Sequence, residues 1–253
     1  MRVTVAGIAA LLTLGPAGCG DTASPGGGAS SGAGGAVTVF AAASLTESFT
    51  TIGKQYESAH PGSKVTFNFA GSSALATQIN QGAPADVFAS AAPKNMATVT
   101  DAGTPVTFVK NQLIVAVAKG NPRGITGLAD LTKPGVKVAL CAEAVPCGAA
   151  ARTALETAGV KLTPVTLEQD VKAALSKVKL GEVDASLVYR TDARTATADV
   201  DAVEFPESAK AINDYPIAVL KSAKNPAGAQ AFVDYVLSAD GAKVLTQAGF
   251  QAP

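Results

Sequence analysis

Twice near the start of its globular part, the chain runs from an apolar, strand-like segment straight into a small serine-bearing turn that opens a helix. Val37–Phe40 leads to Ser44, and Val65–Phe69 leads to Ser72. The alternation of strand-like and helix-like segments continues to the C-terminus. It restricts the chain to an α/β fold with mostly parallel sheets.

Apolar runs and helical periodicity place the remaining elements. The predicted strands are Val37–Phe40, Val65–Phe69, Val87–Ala91, Leu113–Ala118, Val136–Leu140, Ala185–Val188 and Ile217–Leu220. The predicted helices lie near Thr46–Ala59, Ser73–Gln81, Pro93–Ala102, Cys147–Ala158, Gln169–Lys179, Ala227–Leu237 and Gly241–Ala248.

Both serine turns have the chemistry of an anion site. The first backbone N–H groups of a helix have no partner within the helix, and the positive end of the helix dipole lies there. A serine adds a hydroxyl donor, so two such turns that face each other would bind a small oxyanion. The alternative is helix capping, because Ser44 and Glu47 form a Ser-x-x-Glu capping box and Ser72 is also a suitable cap.

Residues 1–19 are predicted to be a secretory signal peptide. Arg2 precedes an apolar run, Val3–Leu14, and small residues follow it. The run is shorter than the roughly 20 apolar residues that span a bilayer.

Cys19 closes this segment and is predicted to be lipidated. The Pro-Ala-Gly sequence before it resembles a bacterial lipoprotein cleavage site, although Pro16 stands where such sites usually carry an aliphatic residue. The alternative is a cleaved signal with an incidental cysteine. Residues 20–36 are rich in glycine and serine and are predicted to be a flexible tether to the membrane.

Charge and motif content argue against nucleic-acid binding and catalysis. The chain has 20 Lys plus Arg and 20 Asp plus Glu, so it lacks the basic field that attracts nucleic acid. His60 is the single histidine and lies in a His-Pro-Gly turn, which leaves no evident nucleophile–histidine dyad. The phosphate-binding and dinucleotide-binding glycine motifs are missing. We therefore expect no enzyme activity, no cofactor and no direct protein–metal ligand.

Several ordered motifs together resemble one family, the molybdate-binding proteins of bacterial ATP-binding cassette (ABC) importers. The resemblance runs from Val37 to Phe250, and its motifs are Phe-Ala-Ala-Ala-Ser44-Leu, Ala70-Gly-Ser72-Ser-Ala-Leu-Ala-Thr-Gln-Ile, Gln81-Gly-Ala-Pro-Ala-Asp86-Val-Phe-Ala-Ser, Val145-Pro-Cys147-Gly, Gln169-Asp-Val171 and Leu187-Val-Tyr189-Arg-Thr-Asp192.

The resemblance implies a two-lobed periplasmic-binding-protein fold of type II, in which the chain crosses between lobes twice. The crossings are expected near 111–118 and 215–220. Lobe I would then comprise 37–114 and 218–253, and lobe II 115–217, each a mostly parallel sheet flanked by helices. Ligands of such open sheets bind at the carboxyl ends of the strands.

The resemblance also implies the ligand contacts. Ser44 and Ser72 match serines that donate through hydroxyl and backbone N–H, Cys147 and Val171 match backbone N–H donors, and Tyr189 matches a phenol donor. All five are neutral donors, which suits an oxyanion that accepts hydrogen bonds at every oxygen. Taken singly, Val171 would be a core residue and Tyr189 an ordinary, partly buried tyrosine.

The function implied is capture of molybdate, and of tungstate, for an importer. The expected protein is an extracytoplasmic, lipid-anchored monomer that serves the permease and ATPase subunits of a molybdate importer. Two alternatives remain open. The ligand could be another tetrahedral oxyanion, such as sulfate or phosphate, or the chain could be a ligand-sensing domain of a regulator with the same fold.

Two positions depart from the family pattern. Cys147 stands where alanine is usual, and Cys141 precedes it by six positions. Outside the cytoplasm such neighbours oxidise to a disulfide; the alternative is an unbridged pair. Arg190 stands where glycine is usual, and we expect it to face solvent, with a contact at the rim of the cleft as the alternative.

Overall fold

The computed structural model describes residues 34–253. The predicted signal peptide, Cys19 and most of the predicted tether lie outside the described residues. The tether prediction is wrong at its end, because Gly35 and Ala36 begin the first strand, where they pair with Ser63 and Lys64. Within residues 34–253, no helix combines the length and the apolar character needed to cross a membrane.

Strands and helices alternate along the described chain. The strands are β1 (Gly35–Ala42), β2 (Ser63–Ala70), β3 (Val87–Ala89), β4 (Val106–Asn111), β5 (Leu113–Ala118), β6 (Val138–Cys141), β7 (Thr166–Glu168), β8 (Ala185–Tyr189), β9 (Val200–Val203) and β10 (Asn213–Val219). The α-helices are α1 (Thr46–Ala59), α2 (Ser72–Asn80), α3 (Pro93–Ala97), α4 (Pro146–Ala158), α5 (Val171–Lys179), α6 (Arg190–Arg194), α7 (Pro226–Leu237) and α8 (Ala239–Ala248). Short 3-10 turns occur at Ala43–Leu45, Leu128–Thr132 and Pro206–Lys210.

The strands form two five-stranded sheets of matching design. The first has the order β2-β1-β3-β10-β4 and the second the order β7-β6-β8-β5-β9. In each sheet three successive strands pair in parallel, and only the fourth strand in the order, β10 or β5, runs against its neighbours. The α/β, two-lobed prediction is confirmed, and both sheets are mostly parallel.

The two crossings lie between strands. The chain leaves the first sheet at Gln112, between β4 and β5, and returns to it between β9 and β10. The predicted lobe bounds, 114/115 and 217/218, fall inside β5 and β10. Hydrogen bonds to neighbouring strands hold a strand along its whole length, so a boundary between lobes is expected at the end of a strand rather than within it. The lobe boundaries themselves stay a prediction.

Buried aromatic and polar contacts join the two segments of the first lobe. Phe49 of α1 packs edge-on against Phe232 of α7, with ring centroids 6.2 Å apart. The buried carboxylate of Asp86 accepts hydrogen bonds from the backbone N–H groups of Thr38 and Lys224, both at 2.7 Å. Asp86, which belongs to a quoted family motif, therefore has a structural role here.

Candidate functional site

A small cavity lies where the carboxyl ends of the three parallel strands of one sheet meet those of the other sheet. It has about 190 Å³ of empty space and is lined by Ala42, Ala43, Ser44, Gly71, Ser72, Ala91, Val145, Pro146, Cys147, Asp170, Val171 and Tyr189. These residues end or follow β1, β2 and β3 of the first sheet and β6, β7 and β8 of the second. The structure thus brings all five predicted ligand residues to one cavity, at the strand ends where open α/β sheets bind ligands.

Ser44 lies in the 3-10 turn that joins β1 to α1, and it is buried. Its Oγ lies 2.9 Å from the hydroxyl oxygen of Tyr215, and the two share a hydrogen bond. The capping-box alternative is wrong, because α1 has Leu45 as its N-cap and no side chain caps it. Glu47 instead pairs with Lys172, at 2.8 Å.

Ser72 is the first residue of α2 and is also buried. Its Oγ accepts a hydrogen bond of 3.0 Å from the backbone N–H of Ala91. The capping alternative is wrong here too, since no side chain caps α2. Because the oxygen of Ser72 already accepts a bond from the protein, its own proton is available to a ligand.

Gly71, just before Ser72, lies close to the backbone of the other lobe. A Cβ at this position would lie 2.2 Å from the carbonyl oxygen of Gln169 in the other lobe. The backbone φ of −59° at Gly71 is an ordinary one, so the requirement for glycine comes from this close approach alone.

Cys147 is the second residue of α4 and forms the predicted disulfide with Cys141. The bond ties the end of β6 to the first turn of α4. Gly148 adds to this tight turn, because a Cβ there would lie 2.0 Å from the carbonyl oxygen of Ala142. The N–H of Cys147 belongs to the first turn and has no carbonyl within its helix to bond.

Val171 is the first residue of α5, after Asp170. The carboxylate of Asp170 accepts a hydrogen bond from the N–H of Ala173 at 2.9 Å and so caps the helix. The N–H of Val171 lies outside the intrahelical bonds, at the positive end of the helix dipole.

Tyr189 ends β8, and its side chain is 1% exposed. Its hydroxyl is buried and has no hydrogen-bond partner among residues 34–253. Burial raises the pKa of Tyr189 well above its ordinary value, so the phenol keeps its proton. A buried, unpaired hydroxyl is costly for a protein, and one that lines a cavity marks the place where a partner would bind.

No lysine or arginine lines the cavity in the part of the chain that the structure describes. Arg190 is paired with Glu204 at 2.9 Å and 2.7 Å and does not line the cavity. Within the described residues, the five predicted ligand residues are therefore joined in the lining by no cationic side chain, and the one ionisable carboxylate there is that of Asp170.

An ion-pair cluster with one buried member, Asp192, joins the lobes beside the cavity. Lys172 lies 2.8 Å from Glu47 in the first lobe and 3.0 Å from Asp192 in its own. Burial raises the pKa of Asp192 to about 6, although the charge of Lys172 opposes that shift. Burial lowers the pKa of Lys172, but the two carboxylates outweigh it and the net shift is upward.

A larger surface groove, unlike the cavity, has charged side chains of both signs in its lining, among them Lys161. It has about 970 Å³ of empty space and lies over α4 and the segment before β7, with Arg152 in its lining. Arg152 is already paired with Glu143 and Glu156. This cation is therefore neutralised by its own neighbours.

The described residues also lack a cluster of metal-ligating side chains, and the histidine lies outside the cavity. Among residues 34–253, no group of three or more His, Cys, Asp and Glu side chains could hold a metal ion. His60 follows α1 and stacks on Tyr56, with centroids 4.3 Å apart, and it does not line the cavity. The cavity can donate hydrogen bonds to a small anion.

Known proteins resemble this chain in sequence and in fold. The family model of bacterial extracellular solute-binding proteins matches residues 37–251. The chain belongs to this family. It is 45% identical to the molybdate-binding protein ModA of Mycobacterium tuberculosis over 252 residues, which cover 97% of this chain and 96% of that protein.

One further relative and one solved structure match most of the length of this solute-binding protein. One is the putative ABC transporter substrate-binding lipoprotein YvgL of Bacillus subtilis, 32% identical over 85% of this chain and 86% of that protein. The other is the solved periplasmic molybdate-binding protein of Azotobacter vinelandii, with a TM-score of 0.75 and 20% identity over 86% of this chain and 99% of that one. The Azotobacter structure supports the fold.

Sequence reasoning missed the groups behind the cavity. Tyr215, Asn111 and Lys172 contact cavity residues or join the lobes, yet none was predicted to have a role. Asn111 stands at the end of a strand that was also missed. The partner of Tyr215 is 171 positions away in the chain, so no local pattern marks the contact.

Proposed function

We propose that this chain is the solute-binding component of an ABC importer and that it captures molybdate, and also tungstate, between its two lobes. The observation that carries the proposal is the buried hydroxyl of Tyr189, which has no hydrogen-bond partner within residues 34–253 and lines the cavity that the four other predicted donors share. The 45% identity to a molybdate-binding protein supports this choice of ion.

The binding mode follows from the donor set. Ser44 and Ser72 would donate from the first lobe, and Cys147, Val171 and Tyr189 from the second. Hydrogen bonds to a charged acceptor contribute about 1.5–3 kcal/mol each, so five donors suffice for tight binding after the cost of closing the lobes. Helix N-termini add favourable dipoles without a countercharge.

A donor-only pocket favours a fully deprotonated tetrahedral dianion. Phosphate is partly protonated near neutral pH and would need an acceptor as well, whereas the five predicted contacts are all donors. In the lining, one oxygen of the Asp170 carboxylate already accepts the N–H of Ala173. Sulfate has the right charge but is smaller. Molybdate and tungstate are nearly identical in charge and shape, so we infer that both bind.

The remaining features complete the proposal. The protein would be exported, anchored to the membrane through lipidated Cys19, and monomeric, and it would deliver its ion to permease and ATPase subunits. A relative with the printed name of lipoprotein, YvgL, supports the anchor. We propose that the chain binds without catalysing a reaction, needs no cofactor and holds the metal only through the oxygens of the ion.

Calorimetric titration with molybdate, tungstate, sulfate and phosphate tests this function. We expect tight one-to-one binding of molybdate and tungstate and much weaker heats with sulfate and phosphate. Sulfate heats equal to or stronger than those of molybdate would overturn the choice of ion. Absence of heat with all four anions would overturn the function itself.

A further inference from the structure

Tyr215 lies directly behind the cavity. It is on β10, is fully buried and is not part of the cavity lining. Its hydroxyl lies 2.9 Å from Oγ of Ser44, which does line the cavity. Each of these oxygens carries one proton, so the orientation of the bond decides what Ser44 can offer to a ligand.

The direction of the hydrogen bond between Tyr215 and Ser44 is set by Asn111, which lies where the chain crosses between the lobes. Oδ1 of Asn111 accepts a hydrogen bond from the backbone N–H of Gln112 at 2.9 Å. This contact turns the amide nitrogen of Asn111 the other way, where it donates to Oγ1 of Thr191 at 2.8 Å and to the hydroxyl of Tyr215 at 3.4 Å. An amide nitrogen only donates, so the oxygen of Tyr215 accepts there.

The proton of Tyr215 is then directed to Ser44. Burial raises the pKa of Tyr215 above its ordinary value, so the phenol remains protonated. A phenol is a stronger donor than an aliphatic hydroxyl, which makes Ser44 Oγ the acceptor of their bond. Because Oγ of Ser44 then accepts the proton of Tyr215, the proton of Ser44 itself is free to point into the cavity.

We propose that Tyr215 is a positioning residue: it donates to Ser44 Oγ and so fixes the Ser44 hydroxyl as a donor to the bound oxyanion. The inference rests on the proposed function. The resulting series of donors runs from Asn111 through Tyr215 and Ser44 to the ligand. Because Asn111 also bonds Thr191 of the other lobe, the alignment of this series depends on the crossing region.

A double-mutant cycle tests the proposal. The dissociation constant for molybdate is measured by calorimetry for the full chain and for its Tyr215→Phe, Ser44→Ala and doubly substituted variants. Tyr215→Phe removes one oxygen and keeps the ring against Phe108 and Phe250. The control is Tyr56→Phe, a fully buried tyrosine of the same lobe whose hydroxyl donates to the carbonyl of Gly228 at 3.5 Å, away from the cavity.

The proposal predicts a specific set of affinities. Tyr215→Phe weakens binding by between about twofold and about tenfold, which is the worth of one neutral hydrogen bond. In the Ser44→Ala background the same substitution changes the dissociation constant less than twofold, because the hydroxyl that it positions is gone. Tyr56→Phe binds as tightly as the unaltered chain.

Other results would overturn the proposal. Wild-type affinity in Tyr215→Phe, or an equal loss in both backgrounds, would show that Tyr215 does not act through Ser44. A Tyr215→Phe chain that is unfolded at the titration temperature would show that the hydroxyl serves folding instead.

Failure of the proposed function gives a different pattern. If the unaltered chain binds sulfate and not molybdate, the choice of ion fails and the same cycle with sulfate decides the role of Tyr215. If it binds neither, both proposals fail.

Discussion

At the scale of single residues, the two cavity serines share one feature: the hydroxyl oxygen of each is hydrogen-bonded to another group of the protein. The partner of Ser72 is the N–H of Ala91 and that of Ser44 is the hydroxyl of Tyr215. A hydroxyl whose oxygen accepts a hydrogen bond from the protein still has its own proton to donate to a ligand. Neither serine caps its helix, and the hydroxyl of each is placed to serve as a donor in the proposed function.

Replacing either serine should weaken binding without unfolding the chain. Ser44→Ala and Ser72→Ala each remove one hydrogen bond to a charged acceptor, so we expect affinity to fall by roughly tenfold to 150-fold. Calorimetric titration with molybdate measures the loss. Ser73→Ala is the matched control, since Ser73 is the next residue of α2 but does not line the cavity. Unchanged affinity in both cavity variants would remove these serines from the site.

The buried carboxyl of Asp192 should give the chain a distinctive pH dependence. Its pKa is about 6 in the folded protein against an ordinary value of 3.8. A carboxyl with a raised pKa binds more protons in the folded than in the unfolded state, so its contribution to the free energy of unfolding falls as pH rises from about 4 to about 6. The stability of the protein relative to Asp192→Asn should therefore fall across this range.

Urea unfolding of both proteins at several pH values measures this difference. Asp184→Asn is the control, because hydrogen bonds to Arg123 and Lys137 lower the pKa of Asp184 despite its partial burial. Its stability difference should change only below about pH 4. A difference for Asp192→Asn that stays constant or rises between pH 4 and pH 7 would contradict the account.

At the scale of elements, the turn before α2 meets the turn before α5 across the cleft. Gly71 lies against the backbone of Gln169. Gly71→Ala should hinder closure of the lobes and weaken molybdate binding by about fivefold to 150-fold, from the 1–3 kcal/mol that overpacking costs. The backbone of Gly71 accommodates alanine, so each lobe should stay folded.

Titration and small-angle X-ray scattering together measure this effect. Gly127→Ala is the control, since a Cβ at Gly127 meets nothing within 4 Å. With molybdate present, Gly71→Ala should retain a larger radius of gyration than the control. Equal affinity and equal compaction in the two variants would show that the close approach does not limit closure.

The disulfide should stabilise the turn that carries the N–H of Cys147. Replacing Cys141 and Cys147 together with alanine should lower the free energy of unfolding by about 2 kcal/mol, the chain-entropy value for so short a loop. Molybdate affinity should fall as well, because the first turn of α4 is then less fixed. Urea unfolding and calorimetry measure the two effects, and full stability in the double variant would show that the bond adds nothing.

Elements with a strong local pattern were predictable from the sequence. Helix α1 has the predicted bounds, Thr46–Ala59, because its apolar residues recur at helical spacing and a His-Pro-Gly turn ends it. The short elements β4, β7, β9 and α6 were missed, since they offer little periodicity and depend on their partners. The helix predicted over Pro93–Ala102 ends at Ala97.

The residues that line the candidate site were predictable from the sequence, whereas the residues that support them were not. The five donor positions came from ordered family motifs, and the structure places them together around one cavity. The contacts of Tyr215 and the Lys172 ion pairs depend on how distant segments pack, which no window of sequence contains. The role of these side chains comes from the contacts that the fold gives them, which residue type alone does not indicate.

At the scale of the whole molecule, two sheets with the same arrangement of parallel and antiparallel strands each contribute the ends of three strands to one cavity. The lobes also meet through the Glu47–Lys172 ion pair and through Asn95, whose amide donates to the carbonyl of Ala144 at 3.3 Å. The predicted donor set and the contacts between the lobes are therefore present together in this structure. Such a closed form is the surface that a permease would distinguish from an open one.

A crystal structure of the chain with molybdate tests this account most directly. We expect the ion in the cavity between the lobes, with its oxygens within about 3 Å of the hydroxyls of Ser44, Ser72 and Tyr189 and of the backbone N–H groups of Cys147 and Val171. An ion held by lysine or arginine side chains, or bound outside this cavity, would contradict the account.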